Sequence, residues 1–415
     1  MDGWMSEKMS DKSDNTTYNK KGDDNSYLDR NTKSLNTQLP SQSFLVERLE
    51  DSDRYMTLSI GPQHPGSGHM RIIIVVDGDI IVSADPDVGY VHRGEEKMSE
   101  FRTYVQNVPH IERPVIHDSS NILYSYCLAV EEVLGLQVPE RAKYLRAILA
   151  EIDRIHYTLY WLAILGIFMG HSTMFMWTTA DRELFVELAD MASGNRITHS
   201  YIIPGGVRND LPVGFHDKAF KFLDYFENRR LPEYDKIFYE NPLFRQRSER
   251  VGILSKEDAI NLGVTGSVLR ASGVNYDVRK REPYDIYSDV QFEIPVSKNG
   301  DSFARSILPV LDIRQSISII RQCLTKMPQS GQIRAKLQPN PRGPPAEAYR
   351  RIESGRGALG HYIVSDGTPK PYRHKMSVPS VRNLAAMPHL LKGAKLADLP
   401  IIYWSLNIWP VEIER

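Results

Sequence analysis

The stretch SIGPQHPGSGHMR, residues 59–71, places two imidazoles, His64 and His69, on a turn built from prolines and glycines that runs directly into an apolar strand. Pro62 and Pro65 fix φ, and Gly61, Gly66 and Gly68 reach conformations closed to other residues, so the loop can hold both side chains in place. An imidazole titrates near neutral pH and can give a proton, take one or bind a metal. The loop is therefore a candidate functional element, with a polar turn carrying two solvated histidines as the simpler alternative. On its N-terminal side YMTLSI, residues 55–60, alternates as a half-buried strand. On its C-terminal side IIIVV at 72–76, Asp77-Gly78 and IIV at 80–82 read as strand, turn and strand, with Asp-Gly as the hairpin signal. A small antiparallel sheet opens the fold.

The pattern then becomes helical. Leu123, Tyr126, Cys127, Val130, Val133 and Leu134 recur at three- and four-residue spacing. The spacing predicts a second, long helix over 142–166, apolar all round near its end, and further helices over 181–193, 217–226 and 303–324. These helices suggest a bundle. Between them lie a Pro/Gly loop at 201–212 and the arginine-rich stretch GSVLRASGVNYDVRK at 266–280, which on its own reads as a surface loop. The string GRGALG at 355–360 fits G-x-G-x-x-G by letter, but a strand follows it where a helix should open, so a dinucleotide site is rejected. Walker, H-E-x-x-H and G-x-S-x-G motifs are absent.

Composition narrows the classes further. The chain has 415 residues, 41% of them apolar, enough for a sizeable core. With 51 basic against 52 acidic side chains it has no global field for nucleic acid. Its cysteines, Cys127 and Cys323, form no Cys-x-x-Cys, which argues against a structural zinc or iron–sulfur cluster held by this chain and suggests reduced thiols. No leading run has the order of a secretory signal, and the most apolar segment, 157–170, falls short of the roughly 20 residues needed to cross a bilayer. The expectation is a chain that does not span a membrane but can sit on a membrane partner. Residues 1–44 are polar and read as a disordered tail.

Taken together, GPQHP at 61–65, HRGxEK at 92–97, RTYxQ at 102–106, PGGVxxDLP at 204–212, RASGVNYDVRK at 270–280 and ESxRGxLGxYIVSDGxxxPYR at 353–373 resemble the 49 kDa-type subunit of respiratory complex I. That family is similar in fold to the large subunit of nickel–iron hydrogenases. The resemblance implies an α+β architecture: an N-terminal antiparallel β layer with the histidine loop (45–118), a helical bundle (119–335) and a C-terminal β and loop segment packing back on the core (336–415). Hydrogenases hold their metal with paired cysteines. Here the C-terminal pair would fall in SLNIWPV, residues 405–411, where no thiolate exists, so no metal centre is expected.

The resemblance further implies a peripheral-arm subunit of an NADH:quinone oxidoreductase on the cytoplasmic side of the cell membrane, coupling electron transfer to proton translocation. No cofactor is held by the chain itself. Quinone is the substrate, an iron–sulfur cluster sits in the adjacent subunit, NADH is used by the whole complex, and the partners are that subunit, the rest of the peripheral arm and the membrane arm. A scaffold with a lost quinone clamp, or the same role with a reduced deazaflavin or ferredoxin as donor, are the alternatives.

The family's head-group clamp is a histidine, a tyrosine and an aspartate, and all three positions depart. The histidine corresponds to Gly68 or to His69, depending on where a one-residue gap falls; the tyrosine aligns with Ile116 and the aspartate with Phe168. His69 is the expected catalytic residue. His64, His117 and His171, the last three residues beyond Phe168 and on its face if the helix continues, are further cavity candidates. Arg71, Arg93 and Tyr104 are candidates for the cavity wall or an interface.

Overall fold

A computed structural model describes residues 44–48, 54–64 and 68–415. The expected polar tail lies outside them except for its last residue, as do residues 65–67 of the histidine loop. The first sheet runs in the order β1 (Phe44–Arg48), β2 (Tyr55–Ile60), β3 (Arg71–Asp77) and β4 (Ile80–Asp87), antiparallel throughout. Ile72, Ile74 and Val76 alternate into the core, and the Asp77-Gly78 turn pairs Asp77 with Ile80, as the period-2 pattern and the turn residues require. Far along the chain, Ala394 and Gly393 exchange backbone hydrogen bonds with Ile81, so the C-terminal segment returns to the first sheet.

After short helices α1 (Glu95–Ser99) and α2 (Val108–Ile111) and a 3-10 turn over Ile116–Asp118, the bundle begins with α3 (Ser119–Leu134), α4 (Glu140–Phe168) and α5 (Ser172–Ser193). α4 is about 43 Å long at 1.5 Å per residue and is buried on nearly every side, packed by α3, α5 and the Ser302–Lys326 helix. α5 starts well before 181, because Met174, Thr178 and Asp181 continue its buried stripe while part-exposed Phe175, Met176 and Trp177 mask the period. The Pro/Gly loop folds as a short ribbon, β5 (Ile202–Ile203) with β6 (Gly206–Val207). A three-stranded sheet, β7 (Ala346–Ser354), β8 (Gly357–Ser365) and β9 (Pro371–Ser377), lies against α3. One hydrophobic cluster runs from Ile60 to Ile413 through both sheets and the bundle.

The glycines of GRGALG sit at the β7–β8 hairpin, not before a helix. A Cβ on Gly357 would come within 2.7 Å of the Gly266 nitrogen, so here the glycine serves close backbone packing. The adjacent arginine-rich stretch is not a surface loop. Arg270, Asp277 and Arg279 are buried, and Arg279 Nη1 donates to Glu151 Oε1 at 3.0 Å on α4. Arg154 Nε, Ser316 Oγ and Tyr287 OH also donate to Glu151, at 3.0, 2.6 and 2.7 Å. Arg270 joins Glu353 at 3.1 Å and also pairs with Asp312. Burial pushes the Glu151 carboxyl up, but Arg154 and Arg279 outweigh it and hold the group down at about 2.

Candidate functional site

The β2–β3 connection brings both loop histidines to a cavity of about 510 Å³. Gln63, His64, Gly68 and His69 form one wall, Tyr160 and Ile164 of α4 a second, and Trp404, Trp409, Pro410 and Val411 the third. His69 has φ 76°, a left-handed conformation that is costly away from glycine and recurs at functional sites. Buried Met70 anchors the loop, and a Cβ on Gly68 would touch Pro410 at 3.4 Å, so loop and C-terminal segment are already in contact.

The third wall is fixed to α4 by reciprocal indole bonds: Trp161 Nε1 donates to the Trp404 carbonyl at 3.1 Å and Trp404 Nε1 to the Trp161 carbonyl at 2.8 Å. Tyr157 OH donates to Asn407 Oδ1 at 2.5 Å, and Arg305 Nε to Ser405 Oγ at 2.9 Å. The segment in which hydrogenases would carry cysteines is thus held by hydrogen bonds, and its tryptophans shape an aromatic pocket of the kind that takes planar or apolar ligands.

Behind this wall lies His117. Its ring is 4.1 Å from Tyr160 and 5.8 Å from Trp409, centroid to centroid, and 5.5 Å from His156. Arg182 Nη2 approaches its Nδ1 at 3.3 Å. Burial, followed by the Arg182 charge, drives the imidazole pKa down to about 4. Further along the same face of α4, Asp153 pairs with His199 at 3.3 Å. There burial lowers the His199 pKa, but the Asp153 charge outweighs it and the net shift is upward.

The other candidates separate. Phe168 ends α4 and meets Trp404 edge-on at 5.1 Å, which makes it support for a cavity wall. Ile116 opens the 3-10 turn beside His117, half-buried. His171 does not share a face with Phe168, because α4 stops there and Gly170 turns at φ 69°. It instead caps α5, its Nδ1 accepting from Met174 N at 3.1 Å, with its ring against Phe238. Arg71 pairs with Asp87 and Arg93 with Glu95, and none of these four residues lines the cavity. Tyr104 is no wall residue: it is fully buried under the β8–β9 turn, bonded through its backbone to Pro369 and Tyr126.

Sequence reasoning does not single out Tyr160, Trp404 or Trp409. The signals it offers are the four-residue step from His156 to Tyr160 on α4 and the tryptophans flanking the expected cysteine positions.

This architecture recurs in known proteins. Residues 169–341 and 335–415 match the family model for the respiratory-chain NADH dehydrogenase 49 kDa subunit. An NADH-quinone oxidoreductase subunit of Desulforamulus reducens is 40% identical over 358 residues, 86% of this chain and 97% of that one. An F(420)H(2) dehydrogenase subunit of Methanosarcina mazei is 38% identical over 377 residues, 89% and 100% of the two chains. A chain of the membrane-bound sulfane sulfur reductase, an archaeal respiratory membrane complex, superposes with a TM-score of 0.85 at 37% identity, covering 89% of this chain and all of that one. Fold, cavity and likeness define a peripheral subunit of a complex I-like oxidoreductase. The chain belongs to the family of the 49 kDa subunit of respiratory-chain NADH dehydrogenase. Among the described residues no helix is long and apolar enough to cross a membrane.

Proposed function

We propose that the cavity between the histidine loop, α4 and the C-terminal tryptophans receives the terminal electron acceptor of an NADH:quinone oxidoreductase, with quinone as that acceptor. The carrying observation is the aromatic pocket in which His64, His69 and Tyr160 supply polar edges. Quinone reduction takes two electrons and two protons. An iron–sulfur cluster of the adjacent subunit supplies the electrons, while this chain excludes water and offers hydrogen-bond donors to the acceptor oxygens. Tyr160 stands in for the tyrosine replaced by Ile116. On this reading the isolated chain is inactive, because Cys127 and Cys323 form no Cys-x-x-Cys pair for an iron–sulfur cluster and the electrons come from the neighbouring subunit. In the assembly it sits peripherally on the cytoplasmic side of the membrane and contributes to proton translocation by the membrane arm.

A second reading has specific support. Ile116 and Phe168 stand where the family has its tyrosine donor and its aspartate, and one structural neighbour is named for sulfane sulfur reduction, which supports a sulfur-chain acceptor in the same cavity. The relative named for F(420)H(2) likewise supports a donor other than NADH. The test is purification of the whole complex from gently solubilised membranes, with titration of its reduced iron–sulfur signal by decylubiquinone and, separately, by polysulfide. Re-oxidation by quinone, slowed about tenfold or more in His69→Ala or Tyr160→Phe, supports the first reading. Re-oxidation by polysulfide alone replaces it with the second.

A further inference from the structure

The glycines of the 201–212 loop admit a third strand to the β5–β6 ribbon. Val207 N donates to the Ile333 carbonyl at 2.9 Å and Ala335 N to the Gly205 carbonyl at 2.8 Å, which sets Arg334 opposite Gly206 in an antiparallel bridge. A Cβ on Gly206 would lie 2.2 Å from the Ile333 oxygen, so the approach needs glycine. The ribbon is itself held to the bundle: Gly205 N donates to Glu131 Oε1 at 2.7 Å, and Arg146 Nε to the Gly206 carbonyl at 3.1 Å. The added strand therefore rests on a fixed base.

Its other edge is bare. Successive residues of a strand turn their backbone N–H and C=O groups to opposite edges, and Ile333 and Ala335 use theirs toward β6, so those of Arg334 point outward. Neither has a hydrogen-bond partner among the described residues. Gln332, Arg334, Lys336 and Gln338 are exposed while Ile333, Ala335 and Leu337 are half-buried, the alternation of a strand with one face in solvent. The Arg334 guanidinium and the Lys336 ammonium are likewise without a hydrogen bond or ion pair among the described residues. Alongside lies a cavity of about 670 Å³, closed on the far side by the apolar residues Val105, Ile203 and Pro204.

We propose that this edge receives an extended segment of a neighbouring subunit, which adds a strand beside residues 332–336 and sets two carboxylates, two positions apart, against Arg334 and Lys336. The residue between those carboxylates is apolar, because it falls on the face of Ile333, Ala335 and Leu337. Backbone pairing supplies affinity, and the two free cations choose the partner. A second copy of this chain is the wrong occupant, since it would bring Arg334 and Lys336 against their own like charges. The surface shares no residue with the histidine-loop cavity, so the proposal stands whatever acceptor that cavity takes.

The experiment uses the whole complex from gently solubilised membranes. A carbodiimide, which joins an amine to a carboxylate without a spacer, should link Lys336 to an Asp or Glu of another subunit within an acidic–apolar–acidic run. Amide hydrogen exchange over residues 332–338 should be slower than that of an unpaired chain by about 100-fold or more. Arg334→Pro removes the outward N–H but spares the bonds that Ile333 and Ala335 make to the ribbon. It should bring exchange at Lys336 to within about threefold of the unpaired rate, with residues 201–207 protected as in wild type. Lys336→Glu should lower the content of the linked subunit in the purified complex about tenfold or more, and Lys336→Arg should keep it. Exchange at the unpaired rate in the wild-type complex overturns the proposal. So does a Lys336 link that falls on a second copy, on residues 1–43 of this chain or nowhere. Protection that survives Arg334→Pro overturns the strand pairing, and full subunit content in Lys336→Glu overturns the acidic partner.

Discussion

Two regions of α4, one at Glu151 and one running from Asp153 to Tyr160, handle their buried polar groups in opposite ways. At Glu151 every oxygen is occupied: Arg279, Arg154, Ser316 and Tyr287 all donate to it. On the face of α4 that carries Asp153 and His156 atoms are left over, since Asp153 Oδ1, His156 Nε2 and His199 Nε2 are buried without a hydrogen-bond partner among the described residues. A buried polar atom without a partner costs about 1–3 kcal/mol. A fold tolerates several together where they serve something other than stability. The Glu151 cluster joins α4 to the arginine-rich stretch and the C-terminal sheet, where Arg270 Nε and Asp312 Oδ1 are the atoms left without a partner among the described residues; the second region reaches the cavity at Tyr160. Motif density alone does not distinguish them, because the longest motifs build the first.

The largest test of this contrast is Glu151→Gln. It leaves Arg154 and Arg279 facing a neutral amide in a site that excludes water, and breaking one partner of a buried ion pair costs about 3–5 kcal/mol. Thermal unfolding should show a complex that loses this subunit or assembles at much reduced yield. Tyr160→Phe, on the same helix, should leave the melting midpoint nearly unchanged. Similar losses of stability in both would erase the distinction between the regions.

A smaller test uses pH. Burial and the neighbouring Asp277 charge raise the Glu353 carboxyl to about 7. The native state therefore holds that proton more tightly than the unfolded chain, whose carboxyl titrates at the ordinary value. The stability contributed is present below the ordinary carboxylate range and is lost as pH rises toward about 7. Glu151 acts in the opposite sense: its contribution is present above the ordinary range and lost only as pH falls toward about 2. Between pH 5 and 7.5 Glu353 titrates and Glu151 does not. The difference in denaturation midpoint between wild type and Glu353→Gln should therefore move in the variant's favour as pH rises across that window; a difference independent of pH would mean that Glu353 is ionised throughout.

Much of the architecture is legible in the amino-acid sequence, because it follows from local periods. The β3–β4 hairpin rests on alternation and Asp77-Gly78, and α3 and α4 on their apolar spacing. What escapes depends on residues far apart in the chain. Trp404 and Trp409 reach the histidine loop from the other end of the sequence, and Arg182 meets His117 across 65 positions. Arg270 and Arg279 look solvated in sequence because charge runs usually are. Their burial becomes visible only once Glu353 and Glu151 are beside them. Tyr104 misleads for the converse reason, since a tyrosine in a polar motif gives no local sign that its ring lies under a turn more than 260 residues away.

The smallest effect concerns His171, which one unbroken helix would have put beside Phe168. Because α4 ends there and Gly170 turns the chain, the imidazole instead closes the first turn of α5 by accepting from Met174 N. Its ring packs on Phe238, 5.5 Å between centroids, away from the tryptophan wall. His171→Ala should cost about 0.5–2 kcal/mol, the range for losing a helix cap, and His171→Asn, which restores a capping oxygen, should recover most of it. Acceptor reduction by the assembled complex should be the same in all three proteins. If turnover falls in His171→Ala and is not restored by asparagine, the imidazole does chemistry that a cap cannot, and the boundary of the site drawn at Phe168 would have to move across the α4–α5 turn.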